Sequence, residues 1–126
     1  MVVVVRVIAV LLALAIGCSR PAPRPPAAPP PRVETFSATA YSIEGRTASG
    51  VQTRQGIVAA DPRVLPLGSR IRVSEAGRYD GEYVVRDTGP GIKGREIDIY
   101  LPNDAEAKRF GRRAVRVEVL RRGDGR

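Results

Sequence analysis

Residues 114–120 read AVRVEVL, and this stretch decides the fold class. Val115, Val117 and Val119 alternate with Arg116 and Glu118, so an extended chain presents one apolar face and one wet face. A helical period would scatter the same valines around an axis; a period of two selects a strand. Towards the N-terminus, further short runs bounded by turn residues give candidate strands at Val33–Ser42, Gly56–Ala60, Ser69–Ser74, Glu82–Arg86 and Glu96–Leu101, with Ala114–Leu120 as the sixth. Between the last two lies Pro102–Phe110. There Asn103, followed three residues later by Glu106, forms a helix N-cap box, and Gly111 supplies the stop. Six strands and one short helix in under ninety residues predict a mainly β domain closed into a small barrel.

The flanking segments are of another kind. Residues 1–17, MVVVVRVIAVLLALAIG, are apolar except for Arg6. The run 7–17 has the length of a signal-peptide core and is short for a membrane-spanning helix. It ends in Leu14-Ala15-Ile16-Gly17-Cys18, which resembles the bacterial lipobox. That resemblance implies a mature chain that begins at an acylated Cys18. An uncleaved anchor helix is the alternative, and both readings place the remainder outside the cytoplasmic membrane, in the cell envelope, facing periplasm or wall. Residues 20–32, RPAPRPPAAPPPR, hold seven of the eleven prolines. Proline fixes φ and lacks an amide donor, so this linker favours extended polyproline II, at about 3.1 Å per residue a reach of roughly 40 Å. The expected organisation is a signal peptide at 1–17, a lipidated cysteine and proline-rich linker at 18–32, the barrel at 33–120 and a basic tail at 121–126.

The net charge of +8 invites a nucleic-acid reading, but its distribution argues against one. Residues 33–120 carry fourteen basic and twelve acidic groups, so most of the excess lies in the two ends. Nucleic-acid binders concentrate basic surface on the folded module; basic ends suit anionic lipids or wall polymers instead. One cysteine and no histidine exclude an intrachain disulfide, Cys/His zinc sites and histidine-dependent nucleophiles. Chemistry must rest on carboxylates, lysine, tyrosine or hydroxyls, and no cofactor or metal is implied.

Three aspartates stand in turn-rich or strand-end positions: Asp61, Asp87 and Asp98. Asp98 lies between Ile97 and Ile99. On a strand Ile97, Ile99 and Leu101 face one way, and Glu96, Asp98 and Tyr100 the other. A carboxylate in such a strand must be paired, hydrogen-bonded or open to a groove. Asp87 ends the Val84-Val85 run and enters the loop Gly89-Pro90-Gly91-Ile92-Lys93-Gly94. Asp87 and Asp98 thus sit at the two ends of one loop-linked strand pair, which can bring them together. By pattern alone, aspartates at strand ends are usually caps or salt-bridge partners, and a catalytic pair is the minority reading.

A run of motifs resembles one family. Thr39-Ala40-Tyr41, Thr47-Ala48-Ser49-Gly50, Gly56-Ile57-Val58-Ala59-Ala60-Asp61-Pro62 and Leu65-Pro66-Leu67-Gly68 are followed by Asp87-Thr88-Gly89, Ile92-Lys93-Gly94, Ile97-Asp98-Ile99-Tyr100, Glu106-Ala107 and Phe110-Gly111. Their types and order resemble the three-aspartate, or 3D, domain of bacterial wall proteins, a double-psi β-barrel. The barrel half of the membrane-bound lytic transglycosylase A family contains the same domain. The resemblance implies cleavage of peptidoglycan glycan strands between N-acetylmuramic acid and N-acetylglucosamine, leaving a 1,6-anhydro end. It implies Asp98 as acid and base, Asp87 as its neighbour, and Asp61, Tyr41, Lys93 and Thr88 in supporting or substrate-binding roles. It reaches only the barrel half of the transglycosylase, and the loop reads Thr88-Gly89-Pro90-Gly91 where the family more often has two glycines and an alanine, so proline removes a donor and stiffens it. A bare barrel therefore implies weak glycan binding or an envelope protein partner.

Two rival readings share some of these motifs. Rare lipoprotein A and expansin-like barrels carry similar Thr47–Gly50 and Leu65–Gly68 segments and imply a non-catalytic wall-binding module, although Asp61 stands where the former usually has histidine. Asp87-Thr88-Gly89 is also the aspartic-protease triplet, but Arg86 before it and Pro90 after it do not suit that family. The glycine-rich loop lacks the GK[ST] of a phosphate-binding loop.

Overall fold

Alternation along the chain sets the architecture seen in the computed structural model, which describes residues 16–126. In strand β1 (Val33–Tyr41), Phe36 and Ala38 turn inward. β2 (Ile57–Ala60) contributes Val58 and Ala60, and β3 (Arg70–Ser74) contributes Ile71 and Val73. β4 (Gly81–Asp87) adds Val85, β5 (Glu96–Tyr100) adds Ile97 and Ile99, and β6 (Arg113–Arg121) adds Val115 and Val117. Fully burying one Val, Leu or Ile side chain contributes about 1.5–3 kcal/mol, so this set is the main favourable term in folding.

The strands close in the order β1-β5-β2-β4-β3-β6. β1 runs parallel to β5 and β2 parallel to β4, while the other four contacts are antiparallel. This is the mainly β, six-stranded double-psi barrel expected from the sequence. Closure leaves no open sheet edge. Neighbours in the barrel are mostly strangers in sequence, so residues far apart along the chain share single rungs.

Helix α1 (Asp104–Phe110) packs Ala107 and Phe110 into the core. The expected N-cap forms, because the Asn103 side chain accepts from the Glu106 amide at 3.0 Å. The reciprocal half of the box does not. The Glu106 carboxylate instead accepts from Arg78 at 2.9 Å and from the Tyr79 hydroxyl at 2.7 Å, tying the helix to a single 3-10 turn at Gly77–Tyr79. Gly111 ends the helix at φ 62°, a left-handed value that glycine adopts without strain.

Three local expectations change. Val119 is 38% exposed, because β6 carries a register irregularity opposite Arg70/Ile71 and Val119 lies at the rim of a surface cavity. Tyr100 is buried although it faces away from the core, because Tyr41 packs edge-on against it at 5.5 Å between centroids. Residues 122–126 follow β6 as a docked segment, with Gly123 and Gly125 donating to the Ser69 hydroxyl and the Leu67 carbonyl. Residues 16–32 form no helix or strand and Cys18 is exposed; most of the expected signal peptide lies outside the described residues.

Candidate functional site

The strand registers assemble one row from four separate parts of the chain. Asp87 pairs with Ala59 across the parallel β2–β4 contact, and Ala59 pairs with Asp98 across the antiparallel β2–β5 contact. Asp98 in turn pairs with Thr39 across β1–β5. Direct cross-strand partners project to the same side of a sheet. Val58, Ala60, Ile97 and Ile99 fill the interior, so this row lies on the outer face. With strands about 4.8 Å apart, the Asp87 and Asp98 backbones stand roughly 10 Å from each other, separated only by the methyl of Ala59.

Asp98 is lightly held. The Thr39 hydroxyl donates to its Oδ1 at 3.0 Å, and among the described residues it has no other hydrogen-bond partner and no salt bridge. Burial raises its pKa. The Thr39 hydrogen bond and the charge of Arg112 pull it down, the negative charge of Asp87 pushes it up again, and the net displacement is upward. A carboxyl of this kind retains its proton to higher pH than an ordinary aspartate.

Asp87 is oriented by backbone. Its Oδ1 accepts from the Ala48 amide at 3.0 Å and the Thr88 amide at 2.9 Å. The Thr47–Gly50 segment is a tight loop built for this. Thr47 is buried, its hydroxyl bonds the Val51 carbonyl, and the Ser49 amide donates to the Arg86 carbonyl. Tyr41 completes the constellation. Its hydroxyl is buried without a hydrogen-bond partner among the described residues, and burial followed by the charges of Asp87 and Asp98 holds the phenol well above the usual tyrosine range.

Asp61 stands apart from this group. It is buried, and its two oxygens accept from the Arg63 guanidinium at 3.1 and 2.9 Å, from the Arg63 amide at 3.0 Å and from the Gly94 amide at 2.9 Å. These bonds, that from the Arg63 side chain first, hold its carboxyl well below the usual carboxylate range. Asp61 staples the turn after β2 to the loop that joins β4 to β5. Among the described residues, no three Asp, Glu, Cys or His side chains cluster as a metal site, so the three aspartates do not converge. Lys93 is exposed on the same loop and makes no side-chain ion pair among the described residues; Thr88 donates its amide to Asp87.

Sequence neighbours of the rung line two surface depressions. Tyr100, two residues past Asp98, helps line a cavity of about 360 Å³ that also includes Tyr79, Tyr83 and Glu106. Thr88, next to Asp87, helps line a shallow cleft of about 340 Å³ with Asp61, Arg63, Pro90 and Lys93. The larger cavity is not where the perturbed carboxyl sits. The row itself is the chemically distinctive feature. The sequence did not single out Thr39, Ala59, Ala48 or Arg112; Thr39, Ala48 and Ala59 stand inside the family motifs, but only the folded chain reveals what they face.

The family model of the 3D domain matches residues 56–121, just over half of the chain, and so takes in both Asp87 and Asp98. The chain belongs to the 3D domain family. This 3D domain is 36% identical over 98 residues to YabE of Bacillus subtilis, covering 71% of this chain and 23% of that protein. It is 38% identical over 95 residues to the cell wall-binding protein YocH of the same organism, covering 68% of this chain and 32% of YocH. The chain thus spans a third or less of these two relatives. The crystal structure of MltA from Escherichia coli, described as a lytic transglycosylase fold, is similar at a TM-score of 0.53 and 25% identity, over 64% of this chain and 28% of that one.

Proposed function

We propose that this 3D domain cleaves peptidoglycan glycan strands as a lytic transglycosylase, with Asp98 as the single acid and base. The observation that carries the reading is the rung Thr39–Asp98–Ala59–Asp87, in which a half-buried carboxyl with a raised pKa faces a second carboxylate across an alanine. The similarity to MltA supports the reaction class, and the name of YocH supports the wall as the target.

The chemistry needs no water. Protonated Asp98 donates to the glycosidic oxygen as its bond to C1 of the muramic residue breaks. The C6 hydroxyl oxygen of that residue then closes onto C1 and returns its proton to the Asp98 carboxylate. The proton balance is zero and the product is a 1,6-anhydro end. One carboxyl does both jobs, so the paired acid and nucleophile of ordinary glycosidases are not required. Burial first, and the charge of Asp87 in addition, keep the proton on Asp98 to higher pH than on an ordinary aspartate, and that charge also stabilises the positive charge that develops at C1. Asp61 holds the loop that follows Asp87 and stays out of the chemistry. The exposed Lys93 ammonium is a positioning group for sugar substituents, and Tyr41, its hydroxyl buried, supports the two carboxyls. Acylation at Cys18, with the proline-rich linker as spacer, tethers the domain to an envelope membrane within reach of the wall.

The test is digestion of purified sacculi by the full-length protein, with mass spectrometry of the soluble products. Anhydro-muropeptides that vanish with Asp98→Asn support the reading. Reducing ends replace it with hydrolysis. Sedimentation of the protein with sacculi and no product selects the second reading, a wall-binding module, which the name of YocH favours.

A further inference from the structure

We propose that a pocket at the junction of β4 and the C-terminal segment binds a phosphate group, independently of the carboxylate rung. The cavity, about 220 Å³, is lined by Arg86, Arg121, Arg122 and Arg126, with Asp124 as its one acidic side chain. None of the four arginines makes an ion pair among the described residues; the seven salt bridges all use other cations. The carboxylate of Asp124 accepts instead from the backbone amide of Arg126. Most decisively, the Nε of Arg86 is buried with no hydrogen-bond partner among the described residues. A buried guanidinium N–H without an acceptor is costly, and native structures rarely leave one so.

The pocket is constructed by the fold. Val58 pairs with Val85 and Ala59 with Asp87, so Arg86 is the extra residue of a bulge. Bulges re-aim side chains. Here the bulge sets Asp87 in the rung and leaves Arg86 to line the pocket. Arg121 ends β6, and Arg122 and Arg126 are held by the seating of the segment 122–126 that carries them. Gly123 donates to the Ser69 hydroxyl at 2.9 Å and Gly125 to the Leu67 carbonyl at 3.0 Å. A side chain at Gly123 would run into the Leu67 carbonyl and the Ser69 amide, so the close approach requires glycine.

Four cations around one small cavity repel each other, and an anion placed between them relieves both that repulsion and the orphaned Arg86 donor. Guanidinium forks match phosphate oxygens in bidentate geometry, and forks arriving from a strand and from a docked segment suit a tetrahedral oxyanion better than a flat carboxylate. The ligand chemistry is therefore a phosphate mono- or diester. A phosphodiester wall polymer and an anionic lipid headgroup both supply it.

The experiment uses the full-length protein, nitrogen-labelled and held in neutral detergent, and follows the Arg86 Nε–H resonance while inorganic phosphate is added. A saturable shift that chloride at equal ionic strength does not reproduce is expected, with affinity at least tenfold weaker in Arg121→Gln/Arg122→Gln. Arg126→Gln, a change on an exposed residue, is a second variant that keeps the fold and should also weaken binding. An unmoved resonance, the same shift in chloride, or wild-type affinity in both variants would overturn the assignment. Competition then separates the sources. Displacement of phosphate by a phosphodiester wall polymer, or by bicelles containing phosphatidylglycerol, supports the site and names its ligand; displacement by neither rejects it.

Discussion

Asp61 and Asp98 belong to the two members of one antiparallel strand pair, β2 and β5, and to one run of family motifs, yet the barrel treats them oppositely. Asp61 follows β2 into a turn and accepts four hydrogen bonds, two of them from one guanidinium. Asp98 sits in mid-strand, receives one hydroxyl, and shares its surroundings with another negative charge. The first arrangement favours the ionised form and the second disfavours it. A saturated carboxylate makes a good staple and a poor proton donor. A starved carboxylate is the reverse.

Substitutions at the two positions should therefore fail in different ways. The largest effect is expected for Asp98→Asn: cleavage of sacculi falls by on the order of a thousandfold, as for loss of a general acid, while the thermal midpoint at neutral pH stays level or rises. Folding and release of anhydro-muropeptides, measured side by side, check this; a folded variant that retains wild-type cleavage would remove Asp98 from the mechanism.

Asp61→Asn should act chiefly on stability. It loses acceptors for Arg63 and Gly94, and Tm should fall by more than about 5 °C at neutral pH. The sign of the pH dependence then separates the pair. The folded-state pKa of Asp61 is depressed, so its stabilisation is present above the unfolded value of about 3.9 and is lost as pH falls below it. The folded-state pKa of Asp98 is raised, so stability is greatest below about 3.9 and declines as pH rises through the folded-state value. Melting curves of the wild type against each Asn variant from acid to neutral pH should converge at low pH in both cases, from opposite sides. Convergence from the same side would break the comparison.

Smaller effects should sharpen it. Asp87→Asn removes the neighbouring negative charge, so the alkaline limb of the rate profile moves to lower pH, with about a tenfold loss of rate near neutrality. Thr39→Val removes a hydrogen bond to the ionised form and should move the same limb to higher pH. Rate–pH profiles of the two variants displaced in the same direction would show that the limb does not belong to Asp98.

The sequence and the structure agree where physics is local. Val115 and Val117, Ile97 and Ile99, and the Asn103 cap follow from a period of two and from an orphaned amide, and both can be read from neighbours in the chain. The rung could not be read that way, because Asp87, Ala59, Asp98 and Thr39 come from four strands that meet through two parallel contacts and one antiparallel contact, none between strands adjacent in sequence. The loop between Asp87 and Asp98 suggested that they approach each other. It did not reveal that Ala59 stands between them, or that Thr39 reaches Asp98 from the far side. The sequence places Asp61 in a supporting or substrate-binding role without its staple function, because residue type does not reveal how many donors surround it. Half of the capping box failed for a similar reason: Arg78 and Tyr79, distant in sequence, compete for Glu106.

The proton on Asp98 is the feature on which the account turns, and carboxyl carbon-13 chemical shifts can follow it directly. With Asp61 and Asp98 titrated in the same sample, Asp98 should lose its proton at a pH above the ordinary aspartate value of about 3.9 and Asp61 well below it. The Asp98 midpoint should fall in Asp87→Asn. An Asp98 that titrates at or below the ordinary value, or that does not respond to the loss of Asp87, would contradict the assignment of Asp98 as the proton-carrying group.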